Sequence, residues 1–332
     1  RNKYGEIARL NAAWGVQTNS FAAIDPKLVA DQTEKGVFAP AIDKTTYLED
    51  LFIRHMKSVA EAVHAVDPTI GIGQGAASFG NIVPEVLAHT DTIIPYIGPL
   101  DIELARALPH KWVGETIGIY GGKKVPDAMG RRQVWHGLFT GCNFSWFWSA
   151  CIAGLQGDLT TNPGRSGVML ESYREVTRGP GALLLRGQRL NDGIAILHSR
   201  SSGHMTPHAQ EMSTHATSKG SWQGIIEDLG LQYDYLTSAY IERGDLRKGG
   251  VRLLILPYAQ ALSDREAAEI RTFAEAGGCV LADLRAATFT TSGQPLAQGA
   301  LDTRFGIARS QERALPVAGP LKIEGLTPEP FT

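Results

Sequence analysis

The sequence predicts an α/β protein made of two successive series of parallel β/α units. Over residues 45–185, short apolar strand patterns alternate four times with helix patterns. The pattern resets at a connector over residues 178–192, and a second alternating series follows. Regular alternation of strands and helices is typical of parallel sheets that are covered by helices.

The first series contains four strands. Apolar residues recur on one helix face from residue 45 to residue 66, and Asp67-Pro68 ends that helix, because proline disfavours a helical conformation in the residue before it. The opening KYGEIARLNAAWG also has a helical pattern. Further helices are predicted over 81–88, 102–108, 127–139 and 168–185, with strands over 69–74, 92–96, 111–117 and 142–148.

The second series has the pattern of a doubly wound parallel sheet. Ser263 and Glu266 form a capping box that opens a helix, and Gly277-Gly278 end this helix near residue 276. The polar segment 199–219, which holds three histidines, is predicted to be a loop. Strands are predicted over 193–198, 232–236, 251–257 and 279–284, with another helix over 222–229.

Composition excludes several function classes. The chain has 332 residues, and its 32 basic side chains are balanced by 34 acidic ones, so no nucleic-acid partner is expected. The longest apolar runs are too short or too polar to span a membrane. Cys142, Cys151 and Cys279 lack the spacing of a metal site or disulfide framework, so we expect no metal and no cofactor. Unpaired cysteines slightly favour a reducing, cytoplasmic compartment.

One stretch, KWVGETIGIYGG, carries a strand pattern into a single carboxylate, Glu115. In barrels of β/α units the chemistry lies at the carboxyl ends of the strands, and this rule selects Gln74, Tyr96, Glu115 and Trp148. Trp146 alternates with Trp148 and should point to the same side. Aromatic faces, amides and carboxylates together suit a sugar. We expect an ionised Glu115 to attack an anomeric carbon.

Structural interpretations of the same residues remain open. A glutamate after a strand is often a cap or surface residue, and Tyr96 and the two tryptophans also suit a core. His204, His208 and His215 are unevenly spaced, which argues against a metal site. Cys279 lacks the small-residue turn of a thiol nucleophile, which argues against amidotransferase chemistry.

The motifs resemble glycoside hydrolase family 42 β-galactosidases. KYGEIARLNAAWGVQTNSFAAIDP resembles the stretch after the acid/base glutamate, and WVGETIG with RRQVWHGLFTGCNFSWFWS resembles strand seven, helix seven and strand eight. The part from GIAILHSRSS to about residue 307 is similar to the trimerisation domain. The resemblance implies a partial (β/α)8 TIM barrel, strands 5–8, over 1–187. A flavodoxin- or class I amidotransferase-like doubly wound domain would occupy 188–307, with a further segment or tail over 308–332.

The function implied by the resemblance is that of a fragment of a retaining exo-glycosidase acting on terminal β-linked sugars. Glu115 matches the nucleophile, and Gln74, Tyr96, Trp146 and Trp148 would bind the sugar. The acid/base glutamate would lie before Arg1, so the fragment alone should be inactive, and the intact protein should be a homotrimer. SACIAGLQGDLTTNPG replaces the family's Arg-rich, His-bearing loop, which leaves the sugar open. Alternatives are a β-mannosidase-like enzyme and a non-catalytic carbohydrate-binding or assembly protein.

Overall fold

The first part of the chain folds around a four-stranded parallel sheet. The computed structural model describes residues 3–75, 80–95, 99–109, 112–118, 127–148, 158, 160, 163–205 and 214–309. The strands pair in chain order, so β1 and β4 are the edges among the described residues. They are β1 (Gly73–Gly75), β2 (Thr92–Ile94), β3 (Trp112–Gly118) and β4 (Phe144–Trp148).

Helices cover one face of this first sheet. Ile93 and Val113 share an apolar cluster with Ile102 of a covering helix, while Ile117 packs against Val134 and Met169. Short 3-10 turns lie at Phe21–Ala23 and Gly80–Ile82. The helices are α1 (Ile7–Trp14), α2 (Lys27–Glu34), α3 (Ala39–His64), α4 (Val83–Leu87), α5 (Pro99–Arg106), α6 (Asp127–Phe139), α7 (Pro163–Thr177) and α8 (Pro180–Arg186).

The opposite face of the first sheet is concave. A Cβ atom placed on Gly75 of β1 would lie 3.0 Å from Cζ3 of Trp146, which belongs to β4. In a flat sheet these strands would be about 14 Å apart, since neighbouring strands are spaced by about 4.8 Å, and an indole would not bridge that gap. The contact therefore requires a sheet that curves like the wall of a barrel.

The second part contains another four-stranded parallel sheet, in the order β6-β5-β7-β8. Its strands are β5 (Ile194–His198), β6 (Tyr233–Thr237), β7 (Leu253–Leu256) and β8 (Cys279–Ala282). Alternate residues of β5 enter two different apolar clusters, so both faces of this sheet are buried. Its helices are α9 (Arg200–Met205), α10 (His215–Asp228), α11 (Ser238–Glu242), α12 (Asp264–Glu275) and α13 (Asp302–Phe305).

The two parts pack directly on each other. Ile102 of α5 lies in the same apolar cluster as Ile196 of β5. At the edge of this cluster Glu103, which is 2% exposed, accepts hydrogen bonds from Arg189 Nη1 at 2.9 Å to both carboxylate oxygens. Arg106 Nε donates to the same carboxylate at 2.9 Å. Buried charge is compensated here by two guanidinium groups.

Most of the predicted elements are present. The α/β class with parallel sheets is confirmed, and the curved first sheet is consistent with a partial barrel. The predicted helix over 168–185 is present but divided in two, because α7 ends at Thr177 and Pro180 begins a new helix, α8. The predicted loop over 199–219 is wrong, since the segment contains α9 and the start of α10. The boundaries at 187 and 307, and the flavodoxin- or amidotransferase-like assignment of the second part, stay predictions.

None of the helices in the described part of the chain combines the length and the apolar character that crossing a bilayer demands.

Candidate functional site

Glu115 lies in the middle of β3 and is buried. It is 2% exposed and alternates with Val113 and Ile117, both of which pack against helices. In the parallel register it stands beside Ser145 of β4, whose Oγ donates a hydrogen bond to Glu115 Oε1 at 3.2 Å. The side chain is therefore on the helix-covered face of the sheet.

The carboxyl of Glu115 meets α6 at a glycine. A Cβ atom placed on Gly137 would lie 2.5 Å from Oε1, so the absence of a side chain at this helix position makes room for the carboxyl. Burial raises the pKa of Glu115 from its usual 4.5 to about 7, and the hydrogen bond from Ser145 opposes this rise. Near neutral pH a large fraction of the carboxyl is protonated.

Two other titratable groups share this layer between sheet and helices. Burial raises the pKa of the Cys142 thiol, and the negative charge of Glu115 raises it further. The pKa of Tyr173, on α7, is likewise raised first by burial, with Glu115 adding to the effect. These groups stay neutral at physiological pH, because burial disfavours the charged form of each.

This arrangement corrects the expected presentation of Glu115. We expected an ionised carboxylate at the carboxyl-terminal rim of its strand, but β3 continues for three residues beyond Glu115 and the group is buried among helices. The physical reason is the alternation of the strand, which places Glu115 on the side of Val113 and Ile117. Its role as a nucleophile stays a prediction.

The other predicted sugar-binding residues do not gather around Glu115. Trp146 stands beside Thr116 in the register and is 52% exposed on the concave face. Gln74 is half-buried and pairs with Ile93, so it belongs to the same face as Glu115.

Two further predicted sugar-binding residues lie wholly or partly outside what the structure describes. Tyr96 lies outside the described residues, and for Trp148 only the backbone, paired with Gly118, is described. Over the described side chains, the expected cleft of carboxylate and indole is not assembled.

Sequence reasoning missed a polar cluster in the second part of the chain. His198, at the carboxyl end of β5, accepts a hydrogen bond from Lys219 of α10. His215 Nε2 accepts one from the backbone N–H of Ser199, the next residue along the chain from His198. His198 and Lys219 are each 2% exposed, and His215 is fully buried. A signal is present in the sequence, because His198 directly ends an apolar strand pattern, but the polar composition of residues 199–219 predicts a loop there.

The described histidines give no support to metal chemistry. His204 Nε2 donates a hydrogen bond to Glu49 Oε2 at 2.8 Å, whereas His215 Nδ1 bonds to the carbonyl of Pro257. Among the residues that the structure describes, no group of three or more potential ligands could hold a metal ion.

Comparison with known proteins identifies the fold. No family model and no curated protein matches the chain. Among solved structures, a β-galactosidase from the Antarctic haloarchaeon Halorubrum lacusprofundi matches with a TM-score of 0.72 and 18% identity, covering 91% of this chain and 52% of that one. Gan42B, a GH42 β-galactosidase from G. stearothermophilus, matches with a TM-score of 0.69 and 14% identity, covering 96% and 53%. The chain has the GH42 β-galactosidase fold.

The GH42 fold occurs with more than one named activity among the neighbours. An exo-carrageenase GH42 from Bacteroides ovatus matches with a TM-score of 0.64 and 11% identity, covering 90% of this chain and 46% of that one. The chain spans about half the length of the solved structures it matches. The expected resemblance to family 42 β-galactosidases is thus confirmed at the level of fold.

Proposed function

We propose that this chain supplies strands 5–8 of the catalytic barrel of a retaining exo-glycosidase that hydrolyses terminal β-linked sugars. The observation that carries the proposal is the curved four-stranded parallel sheet, in a chain that matches about half of each β-galactosidase neighbour. An eight-stranded barrel needs four more strands, and a catalytic site needs the residues at all its strand ends. The chain alone should therefore be inactive.

The surface beside β4 supports an incomplete barrel. A cavity of about 580 Å³ opens between this edge strand and helices α6, α7 and α8, and its walls are mainly apolar. In a closed barrel the edge of β4 would pair with another strand, and the neighbouring helix would fill this space. An edge strand with an apolar cavity beside it is otherwise an aggregation hazard.

Glu115 is the proposed nucleophile of the closed barrel, on the strength of the WVGETIG motif. A retaining mechanism needs a second carboxyl group about 5–5.5 Å from the nucleophile, on the side where the sugar binds. In the structure Glu115 faces α6 instead. For the carboxyl to reach the concave face, near Trp146, β3 would have to shift its register by one residue, which would also turn Val113 and Ile117 out of the core.

The test compares this chain with the longest reading frame that contains it. We expect the longer protein to release nitrophenol from a nitrophenyl β-galactoside and the chain alone to release none. Glu115→Gln in the longer protein should lower kcat by at least about a thousandfold with little change in substrate binding, as loss of a nucleophile does. Glu61→Gln, on the exposed face of α3, is the matched control.

A second candidate function is a non-catalytic carbohydrate-binding or assembly protein. The burial of Glu115, with its pKa raised to about 7, favours it, because a nucleophile must be ionised and accessible. In that case the longer protein hydrolyses no glycoside. Calorimetric titration with mono- and disaccharides then separates sugar binding from a purely structural role.

The sugar and the assembly are parts of the same proposal. A panel of nitrophenyl β-galactoside, β-mannoside, β-fucoside and α-arabinoside distinguishes a β-galactosidase from a β-mannosidase-like enzyme. Leu183, Leu184 and Leu185 of α8 are exposed, and association would cover such apolar surface. For a homotrimer, sedimentation of the chain should give about three times 35.8 kDa.

A further inference from the structure

The order in which strands are added to the second sheet reverses between β5 and β7. The chain passes from β5 to β6 on one side, and then returns to place β7 and β8 on the other. In open parallel sheets the carboxyl ends of the strands on either side of such a switch point form a crevice, which ordinarily holds a ligand. In this protein the crevice is bordered by His198, after which β5 ends, and by Pro257, which follows β7.

A buried pair of side chains lies in this crevice. Lys219 Nζ approaches His198 Nδ1 to 2.8 Å, and His198 Nε2 lies 3.1 Å from the backbone oxygen of Asn81. Because an ammonium group only donates hydrogen bonds, Nδ1 must accept and Nε2 must carry the proton that it donates to Asn81. Burial, together with the nearby charge of Lys219, holds the pKa of His198 well below its usual range, in agreement with a neutral ring.

The side chain of Asn81 is held from the opposite direction by α9. A Cβ atom placed on Gly203 would lie 2.0 Å from Asn81 Oδ1, so the turn Gly80–Ile82 packs against a helix position that only glycine can fill. Ile82 continues this contact into the apolar cluster that contains Ile196 of β5. The turn belongs to the first part of the chain, yet it lies between elements of the second.

Charged side chains fix α9 to the first part as well. Arg200 Nε donates to Glu49 Oε2 at 2.7 Å, and His204 Nε2 lies 2.8 Å from the same oxygen. Arg200 also reaches Asp50 at 3.0 Å. Helix α9, the wall of the crevice that contacts Asn81, is thus anchored to α3. This anchoring limits how far the crevice can open.

We propose that the crevice of the second sheet is a socket for the turn Gly80–Ile82, with Lys219 and His198 as the positioning residues that hold it. The turn comes shortly after β1, at the edge of the first sheet where barrels carry their catalytic groups. The socket therefore fixes that edge relative to the second sheet and fills the space that a small ligand would occupy. The inference goes beyond the proposed function, since it holds whether or not the protein hydrolyses a sugar.

Hydrogen exchange on the chain itself tests the socket. Lys219→Met keeps the length of the side chain and removes the donor to His198. We expect amides of residues 80–87 to exchange roughly tenfold faster, the effect of losing one charge-assisted hydrogen bond, while β7 and β8 keep their protection. Lys57→Met, on the exposed side of α3, is the matched control and should change nothing.

Two further substitutions separate positioning from general stability. Gly203→Ala should raise exchange in 80–87, because its methyl group displaces Asn81, whereas Gly224→Ala, which meets nothing within 4 Å, should not. His198→Gln retains a donor and an acceptor and should restore part of the protection that His198→Leu removes. Unchanged exchange over 80–87 in Lys219→Met and Gly203→Ala would overturn the proposal, as would an equal rise over the whole second sheet.

Discussion

The carboxyl of Glu115 lies against Gly137 so closely that a methyl group on the helix would stand 2.5 Å from its oxygen. The contact joins the one carboxylate of the WVGETIG motif to the helix that follows it, rather than to a cleft. Because burial disfavours the charged form of a carboxyl group, this close packing contributes to the raised pKa. Position 115 therefore has consequences for stability that can be measured without any substrate.

Substitution of the glycine tests this packing. Gly137→Ala should lower the free energy of unfolding by about 1–3 kcal/mol, the usual cost of adding a methyl group where there is no room. The measurement is chemical denaturation followed by circular dichroism. Gly224→Ala on α10, where a methyl group meets only solvent, is the control and should be neutral or slightly stabilising.

Glu115 should make stability fall as pH rises. Its pKa is about 7 in the folded protein against the usual 4.5, so the folded state binds the proton more tightly. The stabilisation is complete below pH 4.5 and is lost as pH rises through 7, with a total on the order of 3 kcal/mol. Glu115→Gln, which mimics the protonated acid, should flatten this part of the profile and stabilise the protein above pH 7. A profile identical to that of the unsubstituted chain would contradict the assignment.

Removing one partner of the buried ion pair between the two parts should lower the free energy of unfolding strongly. Arg189→Met leaves the buried carboxylate of Glu103 with Arg106 alone and should destabilise the chain by about 3 kcal/mol. Arg243→Met removes an exposed ion pair with Asp245 and should cost less than about 1 kcal/mol. Equal effects of the two substitutions in thermal denaturation would show that the buried pair does not hold the two parts together.

The capping box of α12 offers a local test. Ser263 Oγ accepts from the backbone N–H of Glu266 at 3.1 Å, and Glu266 Oε2 accepts from the backbone N–H of Ser263 at 2.7 Å. Ser263→Ala should cost about 1 kcal/mol of unfolding free energy. Ser221→Ala, on the exposed side of α10, should have a smaller effect, and an equal loss for both would show that the cap contributes little.

Local signals in the sequence predicted much of the fold. The helix Asp127–Phe139 and the capping box at Ser263 are where the sequence places them, because apolar spacing and cap chemistry act over a few residues. The helices in segment 199–219 were missed, since α10 buries polar residues such as His215 and Lys219 and so lacks the apolar stripe of an amphipathic helix.

The site was harder to predict than the fold. Val113 and Ile117 flank Glu115 at a spacing of two, and this alternation already indicated a shared, helix-facing side. The match to the WVGETIG motif identifies the residue type at position 115, but it carries no information about the face of the sheet on which that side chain lies. Contacts such as that of His198 with Asn81, which join residues 117 positions apart, leave no periodic trace in the sequence.

The most direct measurement of the central claim is hydrolysis of nitrophenyl β-galactoside by this chain and by the longest reading frame that contains it, each with and without Glu115→Gln. The account predicts turnover only in the unsubstituted longer protein. Turnover by the chain alone, or full activity of the longer protein carrying Glu115→Gln, would contradict it.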